Sequence, residues 1–317
     1  MTTPGAGLLT AQLRFHGTVI EAIGLKLQRP LQLLAGFHGK RPAECLRLLP
    51  LLFPLCGTAH ALAALQAIEV AASMQPGSAH ATARKALAVA DMLAAQVWRT
   101  CIDWAQLTGT PIAPKPVAQA RRLVERITLG VYPDGDWQRL GGGRLAPDGA
   151  ALAAVREDLQ QLRARVDAAG DGVALRSQMV IALRGAEPEW TPRIERCFAA
   201  MSDAMATSFH ALDRQLEALA QLPPTAPSSD ELTDQSGRGS GVALTARGEL
   251  LYEFELVCAH VAACHMSAPT DREFAADGPV AQLLQRLRRA DDPLLAVRWV
   301  LAGYDPCIEV QVEAAGD

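Results

Sequence analysis

The chain is poor in aromatic residues, at 5% of 317, and carries no large excess of either charge, with 30 Lys and Arg against 34 Asp and Glu. No broad basic field suits a nucleic acid, and no acidic tail holds a segment unfolded. The 7 cysteines are scattered and odd in number, so they supply no disulfide framework. Reduced thiols in a cytoplasmic protein are the expectation. Met1 to Leu9 lacks the basic start and cleavable apolar block of a signal peptide. The most apolar stretch, Leu46 to Leu65, is broken by Arg47, Pro50, Pro54 and His60, which makes it a poor membrane span. With 50% hydrophobic residues, a chain of this length can still bury a substantial core.

Helix signals dominate what is present. A helix beginning near Thr58 carries Leu62, Leu65, Ile68 and Ala72 on one face; an Ala-rich helix runs from Ser78 to Trp104, and another from Val117 to Ile127. The clearest follows Thr191 as N-cap, with Pro192 at its first position, and stops before Pro223-Pro224. Its stripe of Ile194, Phe198, Met201, Met205, Phe209, Leu212, Leu216 and Leu219 predicts a central buried helix, with the methionines as core packing. Residues 223–241 are polar and rich in Pro, Ser and Gly, which predicts a mobile loop. Within it, Gly237-Arg238-Gly239-Ser240-Gly241 is not a phosphate loop, because no Lys-Ser/Thr follows. Glu249 to Val257 and His260 to Met266 read as a β-hairpin, Asp292 to Ala302 as a last helix, and Cys307 to Glu313 as a terminal strand. The expectation is a mainly α single domain over residues 1–317, a helical-bundle core with a small hairpin and a terminal strand.

Two short segments carry the chemistry: Pro54-Leu55-Cys56-Gly57-Thr58-Ala59-His60 and Asp305-Pro306-Cys307-Ile308-Glu309-Val310. Cys56 and His60, four apart, share a face if a helix starts at Cys56. By themselves they read as packing, since Cys is among the most buried residue types. Position strengthens the other reading. A cysteine at the mouth of a helix meets unpaired N–H groups and the positive end of the dipole, both of which favour the thiolate that a soft metal centre needs. Cys45, Cys101, Cys197, Cys258 and Cys264 fall within helix or strand patterns and read as core or incidental.

These two segments resemble halves of the metal-binding motifs of [NiFe]-hydrogenase large subunits, Arg-x-Cys-Gly-x-Cys-x-x-x-His and Asp-Pro-Cys-x-x-Cys-x-x-His. Four further stretches are similar to family elements and follow in family order. They are Gly39-Lys40-Arg41-Pro42-Ala43-Glu44, His60 to Glu69, Thr245-Ala246-Arg247-Gly248-Glu249-Leu250, and Ala268-Pro269-Thr270. The resemblance implies a fold like a reduced large subunit. It matches Cys56 to a bridging cysteine and Cys307 to a terminal nickel ligand. Phe53 and Val310 stand where the other two cysteines would be, Leu51 replaces arginine, Pro54 glycine and Glu313 the last histidine. The family's proton-relay glutamate has no counterpart near Leu33 and Leu34.

Two thiolates cannot hold the complete nickel–iron site, so the resemblance implies no hydrogen turnover and no stoichiometric nickel. Arg247 matches the arginine that lies against the iron-bound cyanides, and Thr270 a hydroxyl donor to the same diatomics. The surviving set resembles that of maturation scaffold proteins of the HupK/HoxV type. It implies a non-catalytic carrier of iron bearing carbon monoxide and two cyanides, held at Cys56 and Cys307 with His60 nearby. Other hydrogenase maturation proteins and the large-subunit precursor would be its partners, with no nucleic acid and no membrane. With only Ala314 to Asp317 after Glu313, no peptide of the kind removed from large-subunit precursors is expected. The alternatives are a large-subunit mimic that binds partners without metal, and a zinc or redox protein using Cys56, His60 and Cys307.

Overall fold

The computed structural model describes residues 7–29, 32–170, 172–229 and 232–315. The chain opens with strands β1 (Leu8–His16) and β2 (Val19–Gln28), and then enters helices α1 (Gln32–Ala35), α2 (Pro42–Leu52), α3 (Gly57–Ala71) and α4 (Ser78–Trp98). A π-helical turn, Arg99–Asp103, joins α4 to α5 (Trp104–Thr108). Four helices follow: α6 (Pro114–Val131), α7 (Gly149–Ala169), α8 (Gly172–Ala182) and α9 (Trp190–Leu219). Strands β3 (Gly237–Thr245), β4 (Gly248–Val257) and β5 (His260–Ser267) precede α10 (Pro269–Glu273), α11 (Pro279–Leu284), α12 (Pro293–Gly303) and β6 (Glu309–Ala314).

Helix prevails, as the sequence predicts, but the β content is larger than a hairpin and a lone strand. One sheet has the order β2-β1-β6, with β6 parallel to β1, and the other is the antiparallel β3-β4-β5. The terminal strand thus pairs with the first strand of the chain and brings the Cys307 loop back to the N-terminal hairpin.

Three sequence expectations are corrected. The central buried helix is α3, not α9: twelve residues of α3 are buried, which its Ala-rich, all-round apolar sequence allows. Helix α9 is instead an amphipathic spine with one buried stripe, and it starts at Trp190 with Glu189, not Thr191, as N-cap. The loop expected over 223–241 ends early, because Gly237 to Gly241 begin β3. A Cβ on Gly237, Gly239 or Gly241 would lie 2.2–2.4 Å from backbone of Ala71, Ala67 or Ala63. Glycine at every second position therefore lets the strand rest directly on the backbone of α3. Upstream of it, Ser228 accepts from Arg139 Nε through its carbonyl (2.9 Å) and donates to the Gly141 carbonyl through its hydroxyl (3.0 Å). These bonds pin that part of the segment to the 139–145 turn. Asp230 and Glu231 lie outside the described residues. Cys258 also departs from expectation: it sits exposed in the β4–β5 turn, at φ 47°.

The apolar residues form two clusters. One gathers α2, α3, α4, α6 and α7, the C-terminal half of α9 and the β3-β4-β5 sheet; the other gathers β1, β2 and β6, the N-terminal half of α9, and α8, α11 and α12. Helix α9 contributes Phe209, Leu212 and Leu216 to the first and Ile194 and Phe198 to the second. It therefore runs through both cores.

Candidate functional site

Cys56 is the N-cap residue of α3, at φ −141° and ψ 39°, and its carbonyl accepts from His60 N at 3.0 Å. The helix can start there because Gly57 faces α2: a Cβ on it would lie 2.7 Å from Pro50 Cα. Asp91 of α4 accepts from the N–H of Ala59 (3.1 Å) and so supplies the cap acceptor that Cys56 does not. Burial is the main influence on Asp91 and raises its pKa to about 6, against the lowering effect of its bonds to Ala59 and Thr58. Burial also raises the Cys56 thiol, and the Cys307 and Asp91 charges add to the rise, while Arg247 and Arg29 oppose it.

Cys307 arrives from the other core. It follows Asp305, which has φ 46°, a left-handed conformation that Asp tolerates better than most residues. The Asp305 side chain is fixed by two buried arginines. Arg99 forms an ion pair with Oδ2; Arg247 donates through Nε to the Asp305 carbonyl (2.9 Å) and through Nη2 to Oδ1 (3.2 Å). Arg29 donates to Cys307 Sγ at 2.6 Å and lies 3.0 Å from Asp271. Thr270 is 1% exposed; its hydroxyl lies 3.1 Å from Cys307 Sγ and accepts from Cys307 N at 3.3 Å.

The structure thus gathers Cys56, Cys307, Arg247 and Thr270 around one locus, where each thiol acts electrostatically on Arg247. Burial lowers the Arg247 pKa, but Asp305, Cys307, Cys56 and Asp103 together outweigh it. One donor of that guanidinium, Nη1, is buried without a hydrogen-bond partner among the described residues. His60 is held differently. Its ring stacks on Phe53 at 3.9 Å between centroids, Nδ1 shares a 2.8 Å hydrogen bond with the Tyr252 hydroxyl, and burial, aided by Arg29, lowers its pKa to about 3. Among the described residues no three His, Cys, Asp or Glu side chains are grouped to hold a metal, so Cys56, His60 and Cys307 do not make a zinc site. Phe53 is buried with its ring packed on His60, and Val310 is half-buried on the opposite core.

Sequence reasoning missed Arg29, Arg99 and Asp91. Nothing in spacing singles out Arg29, at the end of a strand, or Arg99, in a helical run; only the return of β6 to β1 and the π-helical turn bring them to the site. Asp305 stood inside the quoted motif, and its place before Pro306-Cys307 was the available signal.

A cavity of about 690 Å³ opens beside this locus; Arg247, Asp305 and Pro306 lie on its wall, with Trp98, Arg99 and Trp104 from α4, the π-helical turn and α5.

The fold resembles that of a [NiFe]-hydrogenase large subunit. The chain superposes on the Ni-Fe-Se hydrogenase of D. vulgaris Hildenborough with a TM-score of 0.68, 9% identity, and coverage of 94% of this chain and 95% of the other. For the [NiFeSe]-hydrogenase of Dm. baculatum the TM-score is 0.71, at 10% identity over 93% and 95% of the two chains. No family model matches the sequence. The chain belongs to the HupK family of hydrogenase expression/formation proteins: it is 30% identical to HupK of Azotobacter vinelandii over 97% of this chain and 98% of that protein. It is also 27% identical to the hydrogenase expression/formation protein HupV of Azotobacter chroococcum mcd 1, over 97% and 98%. Identity to HupK of Rhodobacter capsulatus is 29% over 92% and 93% of the two chains. Among the described residues, no helix is long and apolar enough to cross a membrane.

Proposed function

We propose that this protein acts in hydrogenase maturation as a non-catalytic carrier, holding an iron fragment that bears carbon monoxide and two cyanides between Cys56 and Cys307. The observation that carries the reading is the buried, unpartnered Nη1 of Arg247 beside two thiols contributed by different cores. A buried cationic donor without an acceptor costs on the order of 1–3 kcal/mol or more. A metal-bound cyanide, an acceptor with partial negative charge, would remove that cost. Thr270 is a second donor at the same locus, through its hydroxyl beside Cys307. Arg29 donates to the Cys307 sulfur and so fixes its position beside that hydroxyl.

The cargo is a substrate here, not a resident cofactor. Two protein bonds are easier to exchange than four, which suits a protein that must give the fragment up. The apolar Phe53 and Val310, where further thiolates would complete a nickel site, leave nickel without its ligands. Donor and recipient would be other hydrogenase maturation proteins and the large-subunit precursor.

Infrared spectroscopy of protein purified without oxygen from cells that assemble hydrogenase is the test. Metal-bound cyanide and carbonyl bands are expected, together with iron and without stoichiometric nickel. Cys56→Ala and Cys307→Ala should each lose the bands, and Arg247→Leu should weaken retention without unfolding the chain. Full iron content and unchanged bands in both cysteine variants would sink the reading. A likeness to large subunits over almost the whole chain also suits a mimic that engages partners without metal. Stable partner complexes from a protein that never shows the bands would favour that alternative.

A further inference from the structure

The two thiols of the site are held unequally. Cys307 sits in a cradle built by separate parts of the chain. Arg29, which follows β2, donates to its sulfur through Nη2 at 2.6 Å. The Thr270 hydroxyl of α10 lies 3.1 Å from the same sulfur and accepts from Cys307 N at 3.3 Å. The cradle is itself braced. Arg29 Nε lies 3.0 Å from Asp271, the neighbour of Thr270, and Asp271 accepts from Ala268 N at 3.2 Å. With two fixed points and a buried side chain, Arg29 has little freedom to swing away from the sulfur. Cys56 has nothing comparable. Its carbonyl accepts from His60 N, but among the described residues no hydrogen bond reaches its sulfur, which gives α3 no side-chain cap. Arg29 and Arg247 act on Cys56 only through space, and Asp91, the acceptor that does cap α3, opposes them. Packing does not make up the difference, because both cysteines are only partly buried.

A metal ligand oriented in advance by outer hydrogen bonds grips better than one that must be ordered on binding, and removing such a partner typically costs about 10–100-fold in affinity. We infer that Cys307 is the anchoring ligand of the iron fragment and Cys56 the exchangeable one: Cys307 engages first and lets go last, while the Cys56 bond opens ahead of hand-over. The inference rests on the carrier reading and adds an order to it. Arg29 is the positioning residue of that order, acting on iron through the Cys307 sulfur. Exchange then needs no change of oxidation state. An incoming thiolate forms its bond to iron as the bond to Cys56 breaks, and Cys56 leaves with the electron pair and takes a proton from solvent. One bond alone holds the fragment only transiently, so permanent loss of either cysteine empties the protein.

Two measurements test the order, the first without cargo. Cysteine isotopically labelled at its methylene carbon is incorporated into the empty full-length protein, and the motion of each methylene is read by NMR relaxation. The Cys307 signal, assigned by its absence from Cys307→Ser, should have a higher order parameter than that of Cys56, assigned in the same way. Arg29→Met should lower the Cys307 value, and Arg29→Lys, which keeps the cation without the fork, should fall between. In the second, loaded protein is exposed to iodoacetamide while its infrared bands are followed and its labelled peptides are identified by mass spectrometry. Cys56 should be modified first, with a shift of the cyanide and carbonyl bands, and the bands should vanish only as Cys307 is modified. Loaded Arg29→Met should lose its bands about tenfold faster than wild type, or more. Circular dichroism establishes that each variant is folded; if Arg29→Met is not, the wild-type order of labelling alone decides. Equal order parameters for the two cysteines, an unchanged Cys307 signal in Arg29→Met, or modification of Cys307 before or together with Cys56 overturns the inference. Failure of the carrier reading is separately visible as a wild type without bands, and the methylene signals would still show whether Cys307 is the held sulfur.

Discussion

Replacing Gly239 by Ala should separate β3 from α3, and the cost can be worked from the geometry. The added Cβ would lie 2.2 Å from the Ala67 carbonyl oxygen, 2.4 Å from Ala71 N and 2.9 Å from Val70 Cβ, and two of these neighbours are helix backbone that cannot rotate aside. The strand must retreat by about 1 Å to reach ordinary contact, with overpacking typically costing about 1–3 kcal/mol. That retreat also stretches the bond from Val242 N to Gln66 Oε1, now 2.9 Å, worth about 1 kcal/mol. A total near 3 kcal/mol, at roughly 3 kcal/mol per molar urea for a chain of this size, lowers the unfolding midpoint by about 1 M. Gly149→Ala is the control. It opens α7, a Cβ there meets nothing within 4 Å, and helix propensity favours alanine. An unchanged midpoint for Gly239→Ala would refute the reasoning that strand and helix are in backbone contact.

Three further outcomes are expected. The folded protein favours protonated Asp91, whose pKa burial raises from 3.8 to about 6. Its contribution to stability is therefore full below about pH 4 and lost by about pH 7. Asp91→Asn cannot ionise, so its stability relative to wild type should improve across that range, by at most about 3 kcal/mol; a difference that does not vary with pH in urea titrations would contradict this. Arg84→Met should destabilise by about 3–5 kcal/mol, because it leaves the charge of Glu69, which is 2% exposed and held by Arg84 at 2.7 and 2.8 Å, with only the Gly141 N–H; a midpoint near wild type would mean that Glu69 needs no cation. In timed alkylation read by mass spectrometry, exposed Cys258 should react first. Buried Cys45, whose pKa burial and Glu44 push up to about 12, should react among the last, and early labelling of Cys45 would contradict its burial.

The helices α3, α4, α6 and α12 and the β4-β5 hairpin were legible because period and punctuation agreed locally. The N-terminal hairpin was not read, although Leu9, Ala11 and Leu13 alternate and Gly17-Thr18 can turn the chain. Gly237 to Gly241 was misread for a physical reason. Glycine composition signals a turn when nothing is known of neighbours, and only the small residues Ala63, Ala67 and Ala71 of α3, distant in sequence, make it a packed strand. At the site, Cys56, Cys307, Arg247 and Thr270 stood in short motifs and could be named in advance. Arg29, Arg99 and Asp91 reach the site by tertiary return of the chain, which no local pattern encodes. His60 stood in the first motif, but its ring is turned to Phe53 and Tyr252, a choice made by packing.

Cys56 packs against one apolar cluster and Cys307 against the other, while α9 threads both. Anything gripped by the two sulfurs at once is therefore a rivet between the halves, closing a loop that contains most of the polypeptide. Its bond energy would be shared with the architecture: tighter grip means a stiffer seam, and the work of prising the halves apart rises with the free energy of coordination. Loaded and empty protein should then differ in resilience out of proportion to the few atoms exchanged, and heat or protease would register the cargo from a distance, through the seam.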